Sequence, residues 1–292
     1  MIDNLNQDAL SSGEHIVPIR GVNLWYHVKG SGQPLLFLPG GSGWGGDITP
    51  YIETLKLLEE ARKVIYLEPR GIGRSQRLED PSLYSMDEQV EDIEVLRKHF
   101  GLDKIAIAGH SGGGFTTLKY AIKYPDKVER LLLLGTGPTL KLGDVNEWES
   151  TRRGYKEKIE GYKLLEEMNL PNDKLLLERM KLYVPVWHFH DYDLGVEVVE
   201  KYIIKMKTSW EPYIYFVEHE WSTFDLRGQL GLIDCPCLIV IGDDDVLPIM
   251  MGSYRLDKEL PNSRLVVIPD CGHFHWIEQP ETFYQEVLPF LS

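Results

Sequence analysis

The sequence predicts an α/β fold, a doubly wound, mostly parallel sheet into which a helical cap is inserted. Short, continuous apolar runs alternate with helical spacing over residues 1–140, and the alternation returns near the end of the chain. Residues 141–228 lack such runs and are typical of long helices rich in charged and aromatic residues. We therefore expect a core domain formed by residues 1–140 and 229–292, with residues 141–228 as a cap (lid) domain.

The predicted elements follow one another in a simple order. Residues 14–28 alternate in polarity around a turn at 20–23, which predicts an antiparallel hairpin. The continuous apolar runs fit parallel strands covered on both faces, at 35–38, 64–67, 105–108, 131–134, 237–241 and 265–268. Helical spacing predicts helices at 51–62, 86–100, 115–124 and 284–291.

A serine between glycines, Gly109-His110-Ser111-Gly112-Gly113, lies where a predicted strand meets a predicted helix. This pattern is typical of a nucleophile elbow, a turn too sharp for side chains two residues before and after the serine. The strained turn exposes the serine hydroxyl above the sheet. Because Gly-Ser-Gly runs also occur in ordinary loops, the partners of Ser111 decide whether it is a nucleophile.

A serine hydroxyl needs a base within hydrogen-bond reach, and the base needs a carboxylate that orients it. His273 follows the last predicted strand, which places it on the same edge of the sheet as Ser111. His275, two residues further, is the main rival, since spacing alone does not separate the two. The acid is expected among the three aspartates at 243–245, directly after a predicted strand.

The glycine-rich loop 39–46 follows the first parallel strand and allows backbone N–H groups to approach a substrate oxygen. We expect the N–H groups of Gly41 and Gly112 to form an oxyanion hole. The loop lacks the Gly-Lys-Ser/Thr ending of a phosphate-binding loop, which argues against a nucleotide site.

The chain resembles the α/β-hydrolase fold family over nearly its whole length. The resemblance rests on the order Ser…Asp…His and on four motifs, Pro39-Gly40-Gly41, the run 69–75, the serine motif and Gly272-His273. It implies that His273 rather than His275 is the base and that Asp245 is the acid. Asp244 stays open as the alternative acid. In the family a proline usually follows the acid by four residues, and Pro248 lies four residues after Asp244 but three after Asp245. The family's helical cap matches residues 141–228.

Within this family, the run around Arg70 is similar to the proline iminopeptidases and their esterase and lactonase relatives. Iminopeptidases usually have His-Gly-Gly-Pro-Gly where this chain has Pro-Gly-Gly-Ser-Gly. They also need cap carboxylates that hold a free amine, for which Glu211, Glu218 and Glu220 are candidates. The serine nucleophile disfavours the dehalogenase and epoxide hydrolase branches, which use aspartate.

Composition excludes several classes of partner. A net charge of −14, from 45 acidic and 31 basic residues, argues against nucleic acid and anionic membranes. Three cysteines give no disulfide framework and the N-terminal segment has no signal-peptide pattern, so we expect a cytoplasmic protein. The run 188–193 resembles a metal motif only superficially, because its acid is out of place. We expect no metal and no cofactor.

Together these residues predict a serine hydrolase that cleaves a carboxylic ester or lactone through an acyl-enzyme, with Ser111, His273 and Asp245 as its triad. The aromatic cap indicates a bulky, largely apolar small-molecule substrate, macrocyclic esters included. We expect its pocket to be lined by Trp44, His110, Trp187 and Tyr215. The alternatives are an aminopeptidase of the iminopeptidase type and a non-hydrolytic ligand receptor. The oligomeric state is left open.

Overall fold

The computed structural model describes residues 6–40, 45–141, 150–167 and 172–292. Within them the chain forms eight strands, β1 Gly13–Ile19, β2 Val22–Lys29, β3 Pro34–Leu38, β4 Lys63–Glu68, β5 Ile105–His110, β6 Val128–Leu134, β7 Cys237–Gly242 and β8 Ser263–Ile268. They build one sheet in the order β1-β2-β4-β3-β5-β6-β7-β8. β2 pairs antiparallel with β1 and β4, and all other pairs are parallel. The predicted fold class is confirmed.

The hairpin at the start of the sheet closes through a two-residue turn. Arg20 and Gly21 have φ angles of 48° and 81°, and positive φ at both central residues is what a type I′ turn requires. This turn pairs Ile19 with Val22, and the predicted antiparallel hairpin is confirmed.

Helices cover both faces of the sheet. The α-helices of the described residues are α1 Thr49–Thr54, α2 Leu58–Ala61, α3 Met86–His99, α4 Gly112–Lys123, α5 Tyr155–Glu167, α6 Asn172–His188, α7 Tyr192–Lys201, α8 Trp210–Tyr215, α9 Leu247–Glu259, α10 His275–Glu278 and α11 Pro280–Leu291. The single helix predicted over 51–62 is instead two helices, because the chain breaks at Leu55. This break leaves Leu55 and Leu58 both fully buried against the sheet.

The inner parallel strands β3 to β7 are buried on both faces of the sheet, which explains their continuous apolar runs. In β3, Leu36 and Leu38 belong to one core cluster, and Leu35 and Phe37 belong to the cluster on the opposite face. Alternate side chains of a strand point to opposite faces, so a strand between two helical layers needs apolar residues at every position.

Helices α5 to α8 lie between β6 and β7 in the chain and form a third hydrophobic cluster, which includes Leu176, Val184 and Phe189. The chain enters this helical insert and leaves it again at one place, where Thr139 and Asp225 form a β-bridge. None of the described helices combines the length and the apolar character needed to cross a bilayer.

A second connection joins the helical insert to the loop after β3. Ser209 N donates to Gly45 O at 2.6 Å, and Asp47 N donates to Lys207 O at 3.0 Å. Lys207 N in turn donates to Asp47 Oδ2 at 3.0 Å. The insert is thereby held against the edge of the sheet at which the parallel strands end.

Candidate active site

Ser111 occupies a strained turn between β5 and α4. Its φ of 52° and ψ of −121° lie outside the conformations that L-residues ordinarily adopt. Neighbouring groups hold the turn in place, because Ser111 N donates to Leu134 O at 2.8 Å and Thr136 Oγ1 donates to Ser111 O at 2.9 Å. The Ser111 side chain does not cap α4. Strain that is fixed in this way is typical of a functional position.

The glycines around Ser111 leave no space for side chains. A Cβ at Gly109 would lie 2.5 Å from Thr117 Oγ1, and a Cβ at Gly113 would lie 2.4 Å from Leu38 O. Gly113 therefore lets α4 begin directly against the end of β3. These contacts give the steric reason for the glycine pattern that the sequence shows.

His273 and Asp245 come together at the ends of two neighbouring strands. His273 lies in the loop after β8, and its Nδ1 is 2.9 Å and 2.8 Å from the two carboxylate oxygens of Asp245. Asp245 follows β7 and is 0% exposed, and His273 is 2% exposed. His273 N also donates to His188 O of α6 at 2.8 Å, so the helical insert helps to hold the imidazole loop.

The two rival residues, Asp244 and His275, do not take part in the hydrogen bonds between Asp245 and His273. Asp244 Oδ2 accepts hydrogen bonds from Arg152 and, at 2.9 Å, from His190 Nδ1, so its carboxylate faces the helical insert. His275 is fully buried beside Phe283, and its nearer ring nitrogen is 4.0 Å from Asp245 Oδ2. Burial lowers the pKa of His275 to about 3, so its ring is neutral. The structure thus brings Asp245 and His273 together and leaves both rivals outside the pair.

Gly135 provides the room for this pair. It follows β6 with a φ of 51°, and a Cβ there would lie 2.8 Å from His273 Nδ1 and 3.2 Å from Asp245 Oδ2. Gly135 was not among the site residues predicted from the sequence, although its position directly after a strand was a signal that could have indicated it.

A chain of hydrogen bonds fixes His110 behind His273. His110 Nε2 is 3.0 Å from His273 O, and His110 Nδ1 is 2.8 Å from the hydroxyl of Tyr51, which accepts from Gly40 N at 2.9 Å. A carbonyl only accepts, so the proton of His110 lies on Nε2 and Tyr51 donates to Nδ1. Burial and the neighbouring histidines hold the pKa of His110 well below its usual range, which agrees with this neutral form.

The expected oxyanion groups are described only in part. Gly112 opens α4 directly after Ser111, so its N–H belongs to the first turn of a helix, where backbone donors point outward along the axis. Gly41 lies outside the described residues, as does Trp44. Gly40, the last described residue before them, has no room for a side chain, since its Cβ would lie 2.7 Å from His110 Nδ1.

A cavity opens above Ser111 and His273, between the sheet edge and the helical insert. Most of its wall is apolar and includes side chains that the sequence did not single out, Met180, Tyr183, Val184, Ile203, Met206 and Phe274. Its one described carboxylate, Asp47, accepts hydrogen bonds from the backbone N–H groups of Thr49 and Lys207. Pockets of this kind bind apolar small molecules.

Two of the expected pocket residues lie elsewhere. His110 lines the cavity, but Trp187 lines a separate cavity within the helical insert. Tyr215 lies in a groove formed with α3 and α4 and contacts His219. Neither side chain is among the described residues that line the cavity above Ser111, and aromatic composition does not reveal on which side of its helix each one lies. None of the three glutamates proposed as amine ligands, Glu211, Glu218 and Glu220, lines the cavity above Ser111.

His188 is a further histidine that the sequence did not assign to the site. It ends α6, lines the cavity and stacks on His273 with 4.7 Å between ring centroids. Burial holds its pKa well below the usual range, so the ring is neutral. The run 188–193, which superficially resembles a metal motif, does not bring its side chains together, because His190 pairs with Asp244 and Asp193 pairs with Arg153. Across the described ranges, no three potential metal-binding side chains cluster.

Comparison with known proteins gives a consistent result. The alpha/beta hydrolase fold family matches residues 33–280. A proline iminopeptidase of Saccharolobus solfataricus is 28% identical over 288 residues, which cover 94% of this chain and 90% of that protein. A 2-hydroxy-6-oxononadienedioate/2-hydroxy-6-oxononatrienedioate hydrolase of Klebsiella pneumoniae is 26% identical, covering 87% of this chain and 84% of that protein.

Solved structures share the fold at low sequence identity. An alpha/beta fold family hydrolase from Bacillus anthracis superposes with a TM-score of 0.75 at 19% identity, covering 96% of this chain and 99% of the other. A thermophilic esterase from Thermogutta terrifontis gives a TM-score of 0.70 at 23% identity, covering 96% and 98%. These similarities establish the architecture.

Proposed function

Since the chain belongs to the alpha/beta hydrolase fold family, we propose that it is a serine hydrolase that cleaves a carboxylic ester or lactone through an acyl-enzyme. The observation that carries the proposal is the pair formed by His273 Nδ1 and the Asp245 carboxylate, at 2.8 Å and 2.9 Å, beside the strained Ser111. No cofactor takes part in the proposed reaction.

The Asp245 carboxylate sets the proton position on His273. A carboxylate accepts only, so the proton of the neutral imidazole lies on Nδ1 and the lone pair lies on Nε2. Nε2 is then the base that takes the proton of the Ser111 hydroxyl. The buried carboxylate stabilises the imidazolium that forms, because opposite charges interact strongly where water is excluded.

The reaction proceeds in two halves. Ser111 Oγ attacks the substrate carbonyl while His273 takes its proton, and the N–H groups of Gly41 and Gly112 stabilise the oxyanion. His273 returns the proton to the leaving alcohol as the carbonyl–oxygen bond breaks. Water, deprotonated by His273, then attacks the acyl-enzyme, and the proton returns to Ser111 as the acid leaves.

The walls of the cavity favour an apolar acyl or alcohol group. Met180, Val184 and Ile203 offer only hydrocarbon and thioether surface, and Phe274 adds an aromatic ring. Burying such surface against an apolar substrate contributes about 25 cal/mol per Å². This composition supports a bulky ester or lactone, as the aromatic insert indicated.

An aminopeptidase of the iminopeptidase type is the second candidate, because several relatives carry that name. A free amine needs a carboxylate partner when it is buried. Asp47 is the only described acid in the cavity wall, and each of its oxygens already accepts a hydrogen bond from a backbone N–H group. The described residues therefore favour the ester or lactone.

A panel of p-nitrophenyl esters beside proline p-nitroanilide tests the choice. We expect turnover of the esters and at least a 10³-fold loss of kcat in Ser111→Ala, the order of effect that removal of a triad nucleophile has. Ser31→Ala, at an exposed position in the β2–β3 turn, serves as the control. Preference for the anilide would replace the esterase by the peptidase. Equal inactivity of wild type and Ser111→Ala would favour the non-hydrolytic receptor.

A further inference from the structure

The hydroxyl of Tyr51 lies between two segments that meet beside Ser111. Tyr51 belongs to α1, is buried and lines the cavity above Ser111. Its hydroxyl accepts from Gly40 N at 2.9 Å and lies 2.8 Å from His110 Nδ1. Gly40 is the last described residue of the loop after β3, and His110 ends β5 directly before Ser111. One side chain thus connects the loop that leads to Gly41 with the strand that leads to the nucleophile.

The groups around Gly40 are closely packed. A Cβ at Gly40 would lie 2.6 Å from the hydroxyl oxygen of Tyr51 and 2.7 Å from His110 Nδ1. The same position lies 3.2 Å from Ser111 Cβ. Because these atoms surround one point beside the Gly40 backbone, a shift of the hydroxyl would move Gly40 relative to Ser111.

The single proton of the Tyr51 hydroxyl is used within the protein. Burial raises the pKa of Tyr51, so the hydroxyl keeps this proton. His110 donates from Nε2 to the carbonyl of His273 at 3.0 Å, which leaves the lone pair of Nδ1 to accept from Tyr51. The hydroxyl therefore has no proton to donate to a substrate oxyanion, and it acts through the groups that it holds.

We propose that Tyr51 is a positioning residue, whose hydroxyl holds the loop after β3 and the loop of His273 in place for the transition state. The inference rests on the proposed function and adds a residue to it. Tyr51 binds Gly40 N directly and reaches His273 through His110. Gly40 directly precedes Gly41, whose N–H the proposed reaction uses for the oxyanion. Such a donor stabilises the transition state only when it is oriented in advance.

Tyr51→Phe tests the role of the hydroxyl alone, because the variant keeps the ring that packs against Phe37. We expect kcat for p-nitrophenyl butyrate to fall about tenfold, the effect of one hydrogen bond, with KM unchanged. Loss of an interaction that matters only in the transition state lowers kcat and kcat/KM equally. A hydroxyl that bound the substrate would change KM instead, and a merely structural one would change the free energy of unfolding without changing kcat.

Tyr66→Phe is the matched control. Tyr66 is buried in the same apolar cluster as Tyr51 and packs against the same ring, that of Phe37. Its hydroxyl donates to Glu59 Oε1 at 3.1 Å. This variant also loses one hydrogen-bonded tyrosine hydroxyl, and it should leave kcat unchanged. An equal loss of kcat in both variants would overturn the specific role of Tyr51.

Gly40→Ala completes a double-mutant cycle. Its Cβ would displace the Tyr51 hydroxyl, so this variant already lacks the hydrogen bond between the two residues. Adding Tyr51→Phe should then lower kcat no further, since the effects of residues that act as a unit are not additive. Losses that multiply would show that Gly40 and Tyr51 act independently and would overturn the inference.

Phosphonylation of Ser111 by a fluorophosphonate measures the same geometry without any particular ester. Ser111 Oγ bonds to phosphorus, fluoride leaves, and the serine proton passes to His273; mass spectrometry follows the product. The rate should fall about tenfold in Tyr51→Phe. A rate and a kcat that both stay at the wild-type value would overturn the role of Tyr51 while the hydrolase stands.

The two measurements also separate this inference from the proposed function. Labelling of Ser111 without cleavage of any ester or lactone would overturn the proposed substrate, and the rate of labelling in Tyr51→Phe would still decide the role of Tyr51. Absence of both labelling and Ser111-dependent cleavage would contradict the proposed function itself.

Discussion

Two neighbouring aspartates show how one backbone position decides a residue's role. Asp245 is fully buried and contacts His273, whereas Asp244 contacts Arg152 and His190 of the helical insert. Both follow the same strand, and successive side chains leave its end in different directions. Sequence spacing left the pair undecided because the direction depends on the turn after β7.

Asp245→Asn should lower kcat about 10³- to 10⁴-fold, because an amide in place of the carboxylate favours the wrong tautomer of His273. Asp244→Asn is the matched control and should retain kcat within about tenfold, since the change only weakens contacts with the insert. Steady-state kinetics on a p-nitrophenyl ester measures both effects. A larger loss in Asp244→Asn would reverse the proposed assignment.

At the scale of elements, the sequence predicted the strands well and the faces of the helical insert poorly. All six apolar runs are strands, and for β3 to β7 the reason is that a strand between two helical layers must be apolar at nearly every position. The strand ends then place Ser111, His273 and Asp245 on one edge. In the insert, aromatic residues pack on every side, so Trp187 and Tyr215 could not be assigned to a face from composition.

The end of β6 supplies the element-scale prediction. Gly135→Ala places a Cβ 2.8 Å from His273 Nδ1 at a φ of 51°, so it should displace the imidazole and lower kcat about 100-fold, as misplacement by about 1 Å does. The measurement is kcat for a p-nitrophenyl ester, with circular dichroism to verify folding. Gly231→Ala, where a Cβ meets nothing within 4 Å, is the control. Retention of full activity in Gly135→Ala would show that the pair does not depend on this contact.

At the scale of the whole molecule, the site is built around buried neutral histidines. His110, His188 and His275 surround His273, and burial lowers the pKa of each. His110 and His188 each contribute a contact that holds the His273 loop. His275 has neither ring nitrogen bonded within the described residues. These side chains couple the protonation of the site to the stability of the fold.

This coupling predicts how acid acts on stability. His275 has a pKa of about 3 when folded and an ordinary value near 6.5 when unfolded, so between these values the unfolded chain binds more protons. Its contribution is present above pH 6.5 and is lost as pH falls through this window, at about 1.4 kcal/mol per pH unit.

His275→Leu removes this one titration and should be less sensitive to acid than the wild type. Between pH 6.5 and 4.5, the free energy of unfolding of the variant relative to the wild type should rise by up to about 2.7 kcal/mol. Urea denaturation at the two pH values measures the difference, which also cancels the contributions of other buried groups such as Glu278. The exposed His219→Leu is the control for loss of an imidazole. If His275→Leu kept the wild-type dependence on pH, His275 would not be the neutral, buried group that links acid to unfolding.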